Sequence, residues 1–109
     1  MKNTYPAIIR KGKKYLLSYV PDFDISTQGE NITNVIEMTR DAIAMTGLCY
    51  EDQNIPFPIP TPLEDIVCKK GEIATLVDVD FTAYRQAEAK SLNEKKPTFK
   101  GTQRNIACN

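Results

Sequence analysis

Three carboxylates hold the arrangement in this chain closest to an active site. Asp78 and Asp80 stand two apart in the β-branched run Leu76-Val77-Asp78-Val79-Asp80, so both project from one face of a strand. Glu37 lies in a segment of helical periodicity. A two-metal nuclease uses such a set, with several carboxylates converging on two ions roughly 4 Å apart. The first strand, residues 4–9, has no carboxylate to complete it. Asp78 and Asp80 also end a strand and precede a helix, where turn and capping duty accounts for them. There are 0 histidines in the 109 residues, which removes the usual zinc ligand, the usual general base and every Ser-His or Cys-His pair. The chain reads as non-enzymatic, with no metal and no cofactor.

The elements that would carry these groups follow from local pattern. Residues 4–9 form a strand that tolerates Pro6 near its start or on an edge. Arg10-Lys11-Gly12-Lys13-Lys14 is a hairpin loop, and residues 15–20 form the second strand. That strand puts Tyr15, Leu17 and Tyr19 on one face and Leu16, Ser18 and Val20 on the other. Pro21 fixes the turn that follows, Asp22 and Asp24 bond back onto it, and residues 25–28 make a short third strand. Asn31 caps a helix in which Ile32, Val35, Ile36, Thr39, Ala42, Ile43 and Thr46 fall at helical spacing on one face, with Gly47 ending it or lying inside it.

Pro56, Pro58, Pro60 and Pro62 forbid helix over the next stretch and predict a rigid extended crossover packed on its own domain in preference to a proline-rich motif for a partner's aromatic groove. Residues 62–66 form a short helical turn with proline at its first position. Residues 73–79 are apolar on both faces and predict a central, doubly covered strand. Thr82 caps a second helix running through Ala83-Tyr84-Arg85-Gln86-Ala87. The order is β-β-β-α-β-α. Three antiparallel strands, a helix across them and a fourth strand returning beside the first predict an α/β (α+β) two-layer sandwich.

Composition bounds the rest. The length suits one domain with a tail, and 41% apolar with 26% charged residues is ordinary for a globular chain. There is no apolar run near 18 residues and no apolar core at the start, which predicts a cytoplasmic protein. Cys49, Cys68 and Cys108 are odd in number and lack C-x-x-C spacing, so reduced thiols are the expectation. Net charge is zero but uneven. Residues 1–21 carry five cations and no acid. Residues 22–80 carry 12 carboxylates against three cations, a balance of −9, and residues 85–109 carry +4. An acidic middle favours encounter with a basic partner.

Several motifs stand in one order: Tyr5-Pro6-Ala7-Ile8-Ile9, the Val20-Pro21-Asp22 turn, Thr27-Gln28-Gly29 ahead of the helix, the Ile55-Pro56…Pro60 loop, and Leu76-Val77-Asp78-Val79-Asp80-Phe81-Thr82-Ala83-Tyr84-Arg85. Together, over residues 1–85, they resemble the HicB family of bacterial antitoxins. The resemblance implies a partial ribonuclease-H-like fold and a partner, a small basic HicA toxin that cleaves RNA and whose active surface the antitoxin covers. Tyr19, Asp22, Phe23, Asp24, Gln28 and Glu30 are the expected partner-binding residues, with Phe23 as the exposed aromatic anchor.

The resemblance thins after Tyr84. HicB antitoxins usually carry a C-terminal DNA-binding module, typically of about 40 residues with recognition side chains set on a helix or ribbon. Here residues 86–109 read as a basic helix or tail, in which Pro97 and Gly101 disfavour a ribbon strand. The tail is expected to be at most loosely ordered, operator binding by this chain alone is not expected, and self-association through sheet edges or the second helix is. The alternative reading is an orphan HicB-like oligomeric regulator that touches nucleic acid through its basic tail, recognisable by salt-sensitive binding lost on deleting that tail.

Overall fold

The computed structural model describes the backbone of residues 1–93 and the side chains of residues 1–88. The expected basic tail, with Pro97 and Gly101, lies outside the described residues from 94 onward. Four strands, β1 (Lys2–Lys11), β2 (Leu16–Val20), β3 (Ile25–Gly29) and β4 (Glu72–Asp80), form one antiparallel sheet in the order β3-β2-β1-β4. Two helices, α1 (Ile32–Asp52) and α2 (Phe81–Asn93), pack together beside it, and a single 3-10 turn (Leu63–Asp65) lies against β4. This is the expected two-layer α+β arrangement, with the fourth strand beside the first. Among the described residues no helix is long and apolar enough to cross a membrane.

β1 and β4 pair from Lys2↔Asp80 to Arg10↔Glu72, whereas β1 meets β2 only from Ile8↔Tyr19 onward. Pro6 therefore lies in a central strand, beyond the reach of the β2 ladder. Its missing N–H costs nothing on that side. β4 is an edge strand rather than the central one that its apolar pattern predicts. Its helix-side residues Val77 and Val79 are buried, while Leu76, on the other face, is 50% exposed. An apolar run fits an edge strand when only one of its faces meets the core.

α1 starts where the sequence predicts. The Asn31 side chain accepts from the Asn34 N–H at 2.8 Å, and Asn34 Oδ1 accepts from the Glu30 N–H at 2.8 Å. The start of α2 departs from expectation. Thr82 is not its cap, because the helix follows β4 without a break and Asp80 Oδ1 accepts from the Ala83 N–H at 3.2 Å. Inside α1, Thr39 donates to the Val35 carbonyl at 2.6 Å and lies 2.8 Å from Ser18 Oγ, which can donate in turn. This buried polar pair joins helix to β2 without leaving an orphan donor. Cys68 is a free thiol, whereas Cys49 is disulfide-bonded, against the expectation of reduced thiols throughout.

Two glycines permit close approach. A Cβ on Gly29 would stand 2.5 Å from the Val35 backbone, so glycine lets α1 leave β3 so abruptly. Gly47 lies inside α1, and a Cβ there would meet the Phe81 ring at 2.3 Å. Gly47→Ala is expected to destabilise the fold by about 1–3 kcal/mol through overpacking, read as a lower denaturation midpoint with unchanged slope.

α2 is fastened to α1 by Tyr84, which donates to Asp41 Oδ1 at 2.6 Å, and by Arg85, which bonds Glu51 and Asp52 and reaches the Leu48 carbonyl. The last turn of α1 has no basic residue of its own, and Arg85 supplies the cation that its carbonyl end favours. Burial, then the bond to Asp41, push the Tyr84 phenol well above its ordinary value of 10.0. A phenol raised on folding stabilises below its unfolded value and loses that contribution as pH rises through the folded one. Thermal stability should therefore fall as pH rises above 10, and Tyr84→Phe should flatten that fall.

Candidate partner-binding surface

The turn between β2 and β3 is where the sequence concentrates its candidate residues, and it sends them in three directions. The Phe23 and Asp24 N–H groups both point at the Val20 carbonyl, at 3.3 and 2.8 Å, and Asp24 closes the turn at φ 55. Aspartate is among the few non-glycine residues that tolerate this left-handed conformation.

Phe23 goes inward. Expected as an exposed aromatic anchor, it is only 6% exposed. Its ring packs edge-on to Tyr5 at 4.8 Å and lies 5.3 Å from Tyr50 and 6.4 Å from Phe57. Phe57 in turn meets Phe81 at 4.9 Å. The reason is the tight turn: with two N–H groups drawn onto one carbonyl, the side chain between them faces the core. Phe23 is a packing residue, not a surface anchor.

Asp22 goes sideways. Instead of bonding back onto its own turn, it accepts from the Thr61 N–H at 3.0 Å and the Thr61 hydroxyl at 2.7 Å. Tyr5 adds a bond from its hydroxyl to the Pro58 carbonyl at 2.9 Å. The proline-rich segment is thus clamped across its own domain by Phe57, Pro58 and Thr61, as the sequence predicts. Asp22 is half-buried and engaged in that clamp.

Tyr19, Asp24, Gln28 and Glu30 go outward, and these four are exposed. The Tyr19 hydroxyl donates to Asp24 Oδ1 at 2.8 Å, and this bond, more than desolvation, raises the phenol above its ordinary value. Tyr19 and Gln28 lie on the face of the sheet that carries no helix among the described residues. The strand register lines that face with cross-strand rows: Ala74, Ile8, Tyr19 and Ser26 in one, and Glu72, Arg10, Leu17 and Gln28 in the next. An apolar centre of Ile8, Leu17, Ala74 and Leu76 is thus rimmed by polar side chains. Sequence reasoning names Tyr19 and Gln28 but misses Ile8, Ala74 and Leu76. Their strand alternation is visible, but the rows depend on the pairing register, which alternation does not give.

The carboxylates that frame a nuclease reading are occupied separately. Asp78 pairs with Arg40 at 3.2 Å, Asp80 caps α2, and Glu37 stands exposed on α1. Among the described residues no three metal-ligating side chains gather.

Comparison with known proteins bears on the fold. No family model matches the chain, and no curated protein does. Solved structures do match in fold. A chain of a toxin–antitoxin complex from Streptococcus pneumoniae is 19% identical, with 89% of this chain and 91% of that chain covered and a TM-score of 0.67. A chain of the HicA3 and HicB3 toxin–antitoxin complex is 21% identical, with 72% of this chain and 99% of that chain covered and a TM-score of 0.61. The fold is therefore one found in chains of toxin–antitoxin complexes, in keeping with the HicB-like motif order.

Phe23→Ala should lower stability by about 3–5 kcal/mol, as for other truncated core aromatics, whereas Glu30→Gln should leave it within about 0.5 kcal/mol. Chemical denaturation of the two variants distinguishes a core Phe23 from a surface one.

Proposed function

We propose that this chain is a HicB-type antitoxin: a non-catalytic protein that binds a small, basic, RNA-cleaving toxin of the HicA type and covers its active surface. The observation that carries the reading is the likeness in fold, over 89% of the chain, to a chain of a toxin–antitoxin complex. The character of the surface supports it. Asp24 and Glu30 bracket β3, Tyr19 and Gln28 stand between them on neighbouring strands, and an apolar sheet face that no helix covers among the described residues adjoins. Exposed carboxylates beside an apolar patch suit a cationic protein, because rim charges set encounter and register while desolvated apolar contacts hold the pair. Occlusion requires no chemistry from this chain, and its paired carboxylates are committed to Arg40 and to the α2 cap.

The test is reconstitution. The chain is co-expressed with a small basic HicA-type toxin, the pair is resolved by size exclusion, and RNA cleavage is assayed with and without this chain. A co-eluting complex in which cleavage stops is expected. A partner that elutes separately, or a complex that still cleaves RNA, rules the reading out.

A further inference from the structure

The sheet has two edges, and they are treated differently. β4 is guarded. Arg40 donates to the Asp78 carbonyl at 2.8 Å, the 3-10 turn lies against the strand, and Glu72, Asp78 and Asp80 place three carboxylates along its length. Charge and coverage of this kind block the addition of another strand.

β3 has none of these protections. Its residues, Ile25, Ser26, Thr27, Gln28 and Gly29, include no charge and no proline. It pairs with β2 on one side, and no helix, turn or side chain among the described residues bonds to its other side. Alternate N–H and C=O groups of an edge strand point outward, so β3 offers a short ladder of unpaired donors and acceptors.

The charges at its ends restrict what can add there. Asp24 precedes the strand and Glu30 follows it, both exposed. A second copy of this chain pairing antiparallel through all five residues would have its two-fold axis at Thr27. Asp24 would then face the other copy's Glu30 at both ends. Parallel pairing would set each carboxylate near its own duplicate. Like charges directly opposite across strands are destabilising. The same arrangement favours a strand with a lysine or arginine at either end.

We propose that β3 is the docking edge for an extended segment of a cationic protein, which adds to the sheet as a fifth strand with its basic residues against Asp24 and Glu30. Backbone bonds supply the common part of the affinity, and the two carboxylates supply register and selectivity. The proposal deepens the antitoxin reading and rests on it, the cationic protein being the toxin.

Amide hydrogen exchange of the full chain, free and bound to a small basic HicA-type toxin, tests this. Strand addition should slow alternate amides of residues 25–29 by about 100-fold or more, since those groups pass from solvent into a ladder, while β4 amides stay as in the free chain. A stable complex in which β3 amides exchange as before overturns strand addition and leaves the antitoxin reading standing. Absence of any complex overturns both. The Asp24→Asn, Glu30→Lys double variant should bind about tenfold more weakly or worse, with the Glu64→Gln control unchanged. Asparagine tolerates the backbone conformation of position 24, and an unshifted thermal melt establishes that the double variant is folded. Unaltered affinity of the folded double variant also overturns the proposal.

Discussion

Burial of Phe23 is the constraint on which the other elements converge. The turn between β2 and β3 drives the ring inward, and around it meet Tyr5 from β1, Tyr50 from the last turns of α1 and Phe57 from the proline-rich strap, with Phe81 of α2 against Phe57. Each comes from a different element, so the cluster joins parts that secondary structure alone leaves independent. Aromatic pairs at these separations contribute about 0.5–1.5 kcal/mol each beyond the area that they bury. The bonds from Thr61 to Asp22 and from Tyr5 to Pro58 then hold the strap over the cluster. Polar contacts fix position here, and apolar burial supplies the stabilisation.

The outward and inward halves of the turn are consequences of one geometry. Two successive N–H groups drawn to the Val20 carbonyl leave Phe23 facing the core and Asp24 in a left-handed conformation at its exit. The residue that buries the core and the residue that marks the start of the exposed edge are neighbours in sequence. Any rearrangement of one moves the other. The proposed contact surface is therefore set on a rigid support rather than on a free loop, which lowers the ordering entropy that binding would cost.

Much of this fold was legible in the residues. The strand order, the alternation of β2, the Asn31 cap and the clamped strap follow from period, turn chemistry and proline. What was not legible depended on neighbours distant in sequence. Phe23 in an acidic turn reads as exposed, because nothing local announces Tyr5, Tyr50 and Phe57 around it. β4 reads as central because Ile73, Leu76 and Val79 do not tell which face stays open. Gly47 reads as a stop or an interior glycine alike, since the ring that needs its missing Cβ arrives from residue 81. The acidic surplus of the middle segment misleads in the same way. Asp22, Asp41, Glu51, Asp52, Glu72, Asp78 and Asp80 are engaged within the domain, so a tally of charge overstates what is left to face a partner.

The pairing of β1 with β4 also has a consequence in time. Lys2 is opposite Asp80, and the Phe81 N–H donates to the Met1 carbonyl at 2.9 Å. β1 is thus flanked by the strand farthest from it in sequence among those described, and the aromatic cluster is completed only by Phe81. Contacts of such sequence separation carry a loop-closure cost before they return any stabilisation, which slows folding. A nascent chain ending before β4 has the hairpin and α1 but no completed sheet. Completion of the sheet therefore requires the chain through β4.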